Sequence, residues 1–151
     1  MALPLRETIC RTYELPRTDQ VLQQRARLLT GEQRDLLEAV VLSGQPIRRV
    51  ARMKGITPRA VRWRLHRLAR RMNSPRFRQV LHAGPYLPPE DVHVAKRRFC
   101  QGVSLHDLAE ELDISLHALR RRLDRITAQM SLIADGIAGR RRGAPSETLN
   151  L

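Results

Sequence analysis

Apolar residues recur every three or four positions along most of this chain, and the interruptions carry glycine, proline, serine or threonine. That is the pattern of an all-α protein. Behind Thr30, which with Gln33 has the spacing of a capping box, Leu36, Leu37, Val40 and Val41 form the apolar side of one helix, and Gly44 stops it. Ile47, Val50 and Ala51 give the inner face of a second helix, ended at Gly55, where a left-handed residue would open a tight turn. Thr57 as N-cap and Pro58 as first helical residue then start a third helix, with Val61, Leu65, Leu68 and Met72 on one stripe.

The same plan returns 58 residues later. Residues 31–72 align with residues 89–130 without a gap, and ten of the 42 pairs are identical, among them Glu32/Glu90, Gly44/Gly102, Ala51/Ala109, Arg62/Arg120, Arg64/Arg122 and Met72/Met130. Each copy is therefore expected to fold as the same three-helix unit. In the second copy Pro88, Pro89, Glu90 and Asp91 open the first helix, Gly102 closes it, and Ser104 and Ser115 cap the next two. The inward stripe of the last helix is Leu119, Leu123, Ile126 and Met130. Asp113 stands where the first copy has Gly55, a residue that tolerates the left-handed turn at small cost.

Outside the copies the signals are weaker. Asp19 to Leu29 predicts one more helix within an N-terminal extension of residues 1–28, with Leu22, Ala26 and Leu29 inward. Between the copies, residues 73–87 are no plain tether: Ser74 and Pro75 start a helix carrying Phe77, Val80 and Leu81 on one side, and Gly84 and Pro85 break it, which restricts the spacing of the two units. Residues 132–151 have the composition of a disordered basic tail, with Arg140 to Arg142 available for nonspecific affinity.

Charge changes the picture from fold to partner. The 151 residues carry a formal net charge of +13. Residues 1–87 hold 18 Lys and Arg against 6 Asp and Glu, whereas residues 88–151 hold 10 against 9. No acidic residue occurs between Glu38 and Glu90. The third helix of the first copy, PRAVRWRLHRLARRM, carries Arg59, Arg62, Arg64, Arg67, Arg70 and Arg71 with nothing to offset their repulsion, so it needs either solvent or an anionic partner. With the inner stripe apolar, Arg59, Arg62, Trp63, His66 and Arg70 are expected to project outward, where a major groove of DNA would admit them.

Two helices joined by a three-residue turn, the second polar on its outer face, describe a helix-turn-helix. The stretch LTGEQRDLLEAVVLSGQPIRRVARMKGITPRAVRWRLHRLARRM resembles the C-terminal promoter-reading region of bacterial sigma factors, through Leu29, Gln33 and Arg34, then Gly55, Ile56 and Thr57, then Ala60, Val61 and Arg62, and Arg64 to Arg67. The resemblance covers roughly residues 29–72 and, more weakly, 87–130. It implies that Thr57, Arg59, Ala60, Arg62 and Trp63 touch bases and backbone, with Arg64 and Arg67 at phosphates or in packing. Arg70 and Arg71 are expected at phosphates. In the second copy, His117, Arg120 and Arg121 occupy the corresponding face. That copy alone carries the acidic second helix of the family, LHDLAEEL where the first reads IRRVARMK, so residues 88–131 are open to DNA, to RNA polymerase or to a second copy of the chain. Residues 1–28 have neither the length nor the aromatic content of the region with which such factors melt promoters.

The expected function is sequence-specific binding of double-stranded DNA by a transcription regulator. The competing reading is a DNA-recognition subunit of an assembly such as phage DNA packaging or recombination, with the second unit making protein contacts. Catalysis is not expected: the histidines pair with no nucleophile or carboxylate at useful spacing, and no phosphate-cradling glycine loop occurs. No cofactor or metal is expected, since Cys10 and Cys100 lack ligand spacing and read as reduced thiols. No run is apolar enough to span a membrane, and MALPLRETICRTYELP lacks the apolar core of a secretory signal, so a cytoplasmic address is expected.

Overall fold

The computed structural model describes residues 5–142. They form helices and turns, with no strand among the described residues. The all-α class follows from the periodicity, and the caps fall where the side chains put them. The described helices are α1 (Leu5–Thr12), α2 (Asp19–Ala26), α3 (Gly31–Leu37), α4 (Ile47–Lys54), α5 (Pro58–Met72), α6 (Pro75–Ala83), α7 (Pro89–Ala95), α8 (Leu105–Glu111) and α9 (Leu116–Arg142). Thr30 and Gln33 make the reciprocal capping box, and Thr57, Ser74, Ser104 and Ser115 each accept a backbone N–H three residues on.

The 58-residue offset holds for backbone as well as for sequence. Both α3 and α7 run on into a wide π turn, Glu38–Leu42 and Lys96–Cys100, at the same register. Gly44 and Gly102 both take positive φ, 62° and 75°. Gly55 at 66° and Asp113 at 52° end α4 and α8 alike, so the aspartate adopts the left-handed conformation that its position requires.

Both copies contribute to one continuous core. Val61, Leu65, Leu68 and Met72 of α5 and Leu119, Leu123, Ile126 and Met130 of α9 are all buried, as the stripes require. Between them lies α6, whose Phe77, Val80 and Ala83 are buried against α9 and the Lys96–Cys100 turn. The linker is thus the central wedge of the fold. Leu22, Ala26 and Leu29 point inward from α2 and the turn after it. The helix α1, which the pattern did not reveal, lays Ile9 and Cys10 against the Glu38–Leu42 turn.

At the other end the expected boundary moves. Residues 132–142 are not a disordered tail but the continuation of α9, held at its root by Ile133 against the core, with no proline to stop it. The rest of that expected tail lies outside the described residues. At 27 residues α9 is about 40 Å long. No described helix is long and apolar enough to cross a membrane.

Candidate nucleic-acid interface

The helix α5 starts from a rigid corner. Thr57 accepts the Ala60 N–H at 3.1 Å, Pro58 presets the first turn, and left-handed Gly55 aims the chain back across α4. With five residues of its inner face buried, the rotation of α5 about its own axis is fixed. Arg59, Arg62, Trp63, His66, Arg67 and Arg70 are consequently exposed, Thr57 lies open at the N-cap and Ala60 is half-buried between them. Arg59, Arg62 and Arg70 have no carboxylate partner among the described residues. Trp63, 58% exposed, is covered on one face by the Arg67 guanidinium, whose Cζ lies 4.7 Å from the ring centroid.

Two arginines of the helix have other work. Arg64 reaches back to α3, its Nη1 donating to Glu32 Oε1 at 3.1 Å. Arg71, expected at phosphates, instead turns into the junction between the copies and donates from Nη1 to the Gln101 carbonyl at 2.9 Å. It is half-buried, and desolvation, helped by the neighbouring Arg67 charge, holds its pKa below the usual guanidinium value. The helix was long enough for its last turn to meet the second copy, and α6 brought that copy to it.

Gln101 is the hub of this junction. Its carbonyl also accepts from Gln33 Nε2 at 2.9 Å, its side-chain amide donates to the Leu28 carbonyl at 3.3 Å, and its Oε1 accepts from Arg97 at 2.9 Å. Arg97 in turn grips Glu111 of α8, holding that carboxyl below its usual range chiefly through the side-chain hydrogen bond. Below the hub, Cys100 is buried, and desolvation pushes its thiol up to about 12 against the opposing pull of Lys96 and Arg71. Cys10 is likewise buried and free.

The second copy presents a different face at the same register. His117, Arg120 and Arg121 are exposed on α9, but Asp124 is exposed beside them, and Arg122 and Arg125 are drawn to Asp91. The exposed positions of α4 are Arg48, Arg49, Arg52 and Met53, whereas those of α8 include His106, Asp107 and Glu110. The α4 arginines belong to the same cationic region as α5 and are absent from the sequence-based site, although the acid-free interval from Glu38 to Glu90 contains them. Among the described residues no group of His, Cys, Asp and Glu is arranged to hold a metal ion. No protein-family model, no curated protein and no solved structure matches this chain.

Proposed function

We propose that this chain binds double-stranded DNA sequence-specifically as a transcription regulator, with α4 and α5 working as a helix-turn-helix and α5 as the reading helix. The observation that carries this reading is the outer face of α5: Arg59, Arg62 and Arg70 are exposed and unpaired among the described residues, on a helix whose rotation the buried stripe fixes. Mutual repulsion of such charges costs a few tenths of a kcal/mol per pair in isolation. A phosphate contact reverses that sign, since each one releases counterions and adds about 0.9 to the slope of log affinity against log salt. In the same reading His117, Arg120 and Arg121 lie beside acidic groups, and residues 88–131 supply the face for a protein partner, polymerase or a second copy.

The test separates base reading from charge. In a selection from random duplexes, Arg59→Ala with Arg62→Ala should cost roughly 1–3 kcal/mol on the preferred site and flatten the preference, because base-edge contacts carry the sequence information. Arg70→Ala should weaken all duplexes alike and lower the salt slope by about 0.9. A double variant with native circular dichroism and an unchanged selected sequence removes α5 from the role of reader.

A further inference from the structure

Between the two copies, beside the reading helix, lies a cavity of about 320 Å³, within the size range of small-molecule sites. Its wall includes Lys54, Trp63, Arg64, Arg67, Arg71 and Gln101. One carboxylate, Glu32, is present, and it is taken by Arg64 at 3.1 Å. Three cations, Lys54, Arg67 and Arg71, therefore line the cavity without a carboxylate partner among the described residues. Arg71 is held at the cavity wall by its Nη1 bond to the Gln101 carbonyl, which fixes the position of its charge.

The second element is flat. The indole of Trp63 and the guanidinium of Arg67 stack on each other at the edge of the cavity, and both kinds of plane accept an aromatic ring. The geometry points to a binding site for a small molecule that joins a planar aromatic ring to a phosphate or carboxylate, the chemistry of a mononucleotide. The ring lies against Trp63 and Arg67 while the anion meets Arg71 and Lys54. Gln101 and Gly102 belong to the second copy, so an occupant ties both halves together and stabilises the junction.

Trp63 is the chain's only tryptophan, which gives a direct readout. The whole chain, without DNA, is titrated with adenosine 5′-monophosphate, with adenosine and with inorganic phosphate, following tryptophan fluorescence and the thermal midpoint. The monophosphate should change the fluorescence saturably and raise the midpoint, as any ligand selective for the folded state does. Adenosine and inorganic phosphate should each bind about tenfold more weakly or worse, since each lacks one element. Arg67→Gln and Lys54→Gln should each weaken the monophosphate by about tenfold, whereas Arg76→Gln, exposed on α6 away from the cavity, should leave it unchanged. Absence of a saturable response at millimolar monophosphate overturns the inference. So does equal binding of inorganic phosphate, or a response that persists in folded Arg67→Gln. Because DNA is absent throughout, failure here leaves the role of α5 at DNA standing, and failure of that role leaves this site standing.

Discussion

The two copies share a backbone register and diverge in what their equivalent side chains do. Arg64 and Arg122 are equivalent, and each ties the third helix of its copy to the first. Arg64 meets Glu32, with side chains 41% and 73% exposed, so that tie is made in water. Arg122 donates from Nε and Nη2 to Asp91 Oδ1 at 3.2 Å, and Asp91 is 6% exposed. Arg125 joins it at 3.8 Å. The first copy has Gln33 at the position of Asp91, and Gln33 donates its amide across the junction to Gln101 instead. With no carboxylate there, Arg67, the equivalent of Arg125, is released to stack on Trp63. Gln33 in place of Asp91, with Trp63 in place of Arg121, accompanies the different partners of Arg67 and Arg125, and the Arg122 tie is made to a buried carboxylate where the Arg64 tie is made to an exposed one.

The largest expected effect tests that statement. Asp91→Ala removes the shared acceptor and leaves Arg122 partly buried without its main carboxylate, which should cost about 2–3 kcal/mol of stability in urea unfolding. Glu32→Ala, its exposed counterpart, should stay within about 0.5 kcal/mol. Equal losses would mean that the two ties are equivalent after all.

The glycines give the next contrast. Gly44 and Gly102 both hold positive φ, so alanine strains either one by about 1 kcal/mol. Around Gly44 the space is open, but a Cβ on Gly102 would overlap the Arg71 guanidinium and push it off the Gln101 carbonyl. Gly102→Ala should therefore cost about 2 kcal/mol or more, and Gly44→Ala about half that. If Gly102→Ala costs no more than Gly44→Ala, Arg71 does not hold the junction.

How far the sequence could show this is clear from the same residues. Caps at Thr30, Thr57, Ser74, Ser104 and Ser115, the helix stops at Gly44 and Gly102, the left-handed positions 55 and 113, and the stripes of α5 and α9 are local consequences of residue type and spacing, and all were legible. The inward turn of Arg71, the Gln101 hub and the packing of α6 were not, because each depends on where a distant segment comes to rest. The helix α1 was missed because its burial rests on Ile9 and Cys10, too few positions to set a period. The end of α9 was misjudged because the glycine and arginine composition, Gly136 and Gly139 included, outweighed the absence of any proline before Arg142. At the candidate site, exposure of Arg59, Arg62, His66 and Arg70 followed from the stripe alone. The separation of Arg64 and Arg71 from that group did not.

If DNA is the partner, the difference between copies should appear in binding as well. Arg62 and Arg120 are equivalent and both exposed, but Arg120 lies in a neighbourhood containing Asp124, whereas His66 stands at that place beside Arg62. Under the proposed function, Arg62→Ala should lower affinity for the selected duplex by about 1–2 kcal/mol, and Arg120→Ala by less than about 0.5 kcal/mol. Matching losses would place both helices on DNA and remove the division of labour.

The smallest effect concerns the turn before each third helix. Gly55 and Asp113 adopt the same left-handed conformation, which glycine reaches freely and aspartate reaches at a cost. Asp113→Gly relieves that cost in the folded state, but glycine also gains freedom in the unfolded chain, and the two changes oppose each other. The Asp113 side chain makes no hydrogen bond or ion pair among the described residues, so no contact is lost with it. The balance should leave Asp113→Gly more stable by a few tenths of a kcal/mol up to about 0.5. The reverse change, Gly55→Asp, adds the strain while removing the freedom, and should destabilise by a similar amount. Paired urea titrations resolve the sign. Stabilisation by both substitutions, or destabilisation by both, would show that the two turns are not the interchangeable parts that their common φ implies.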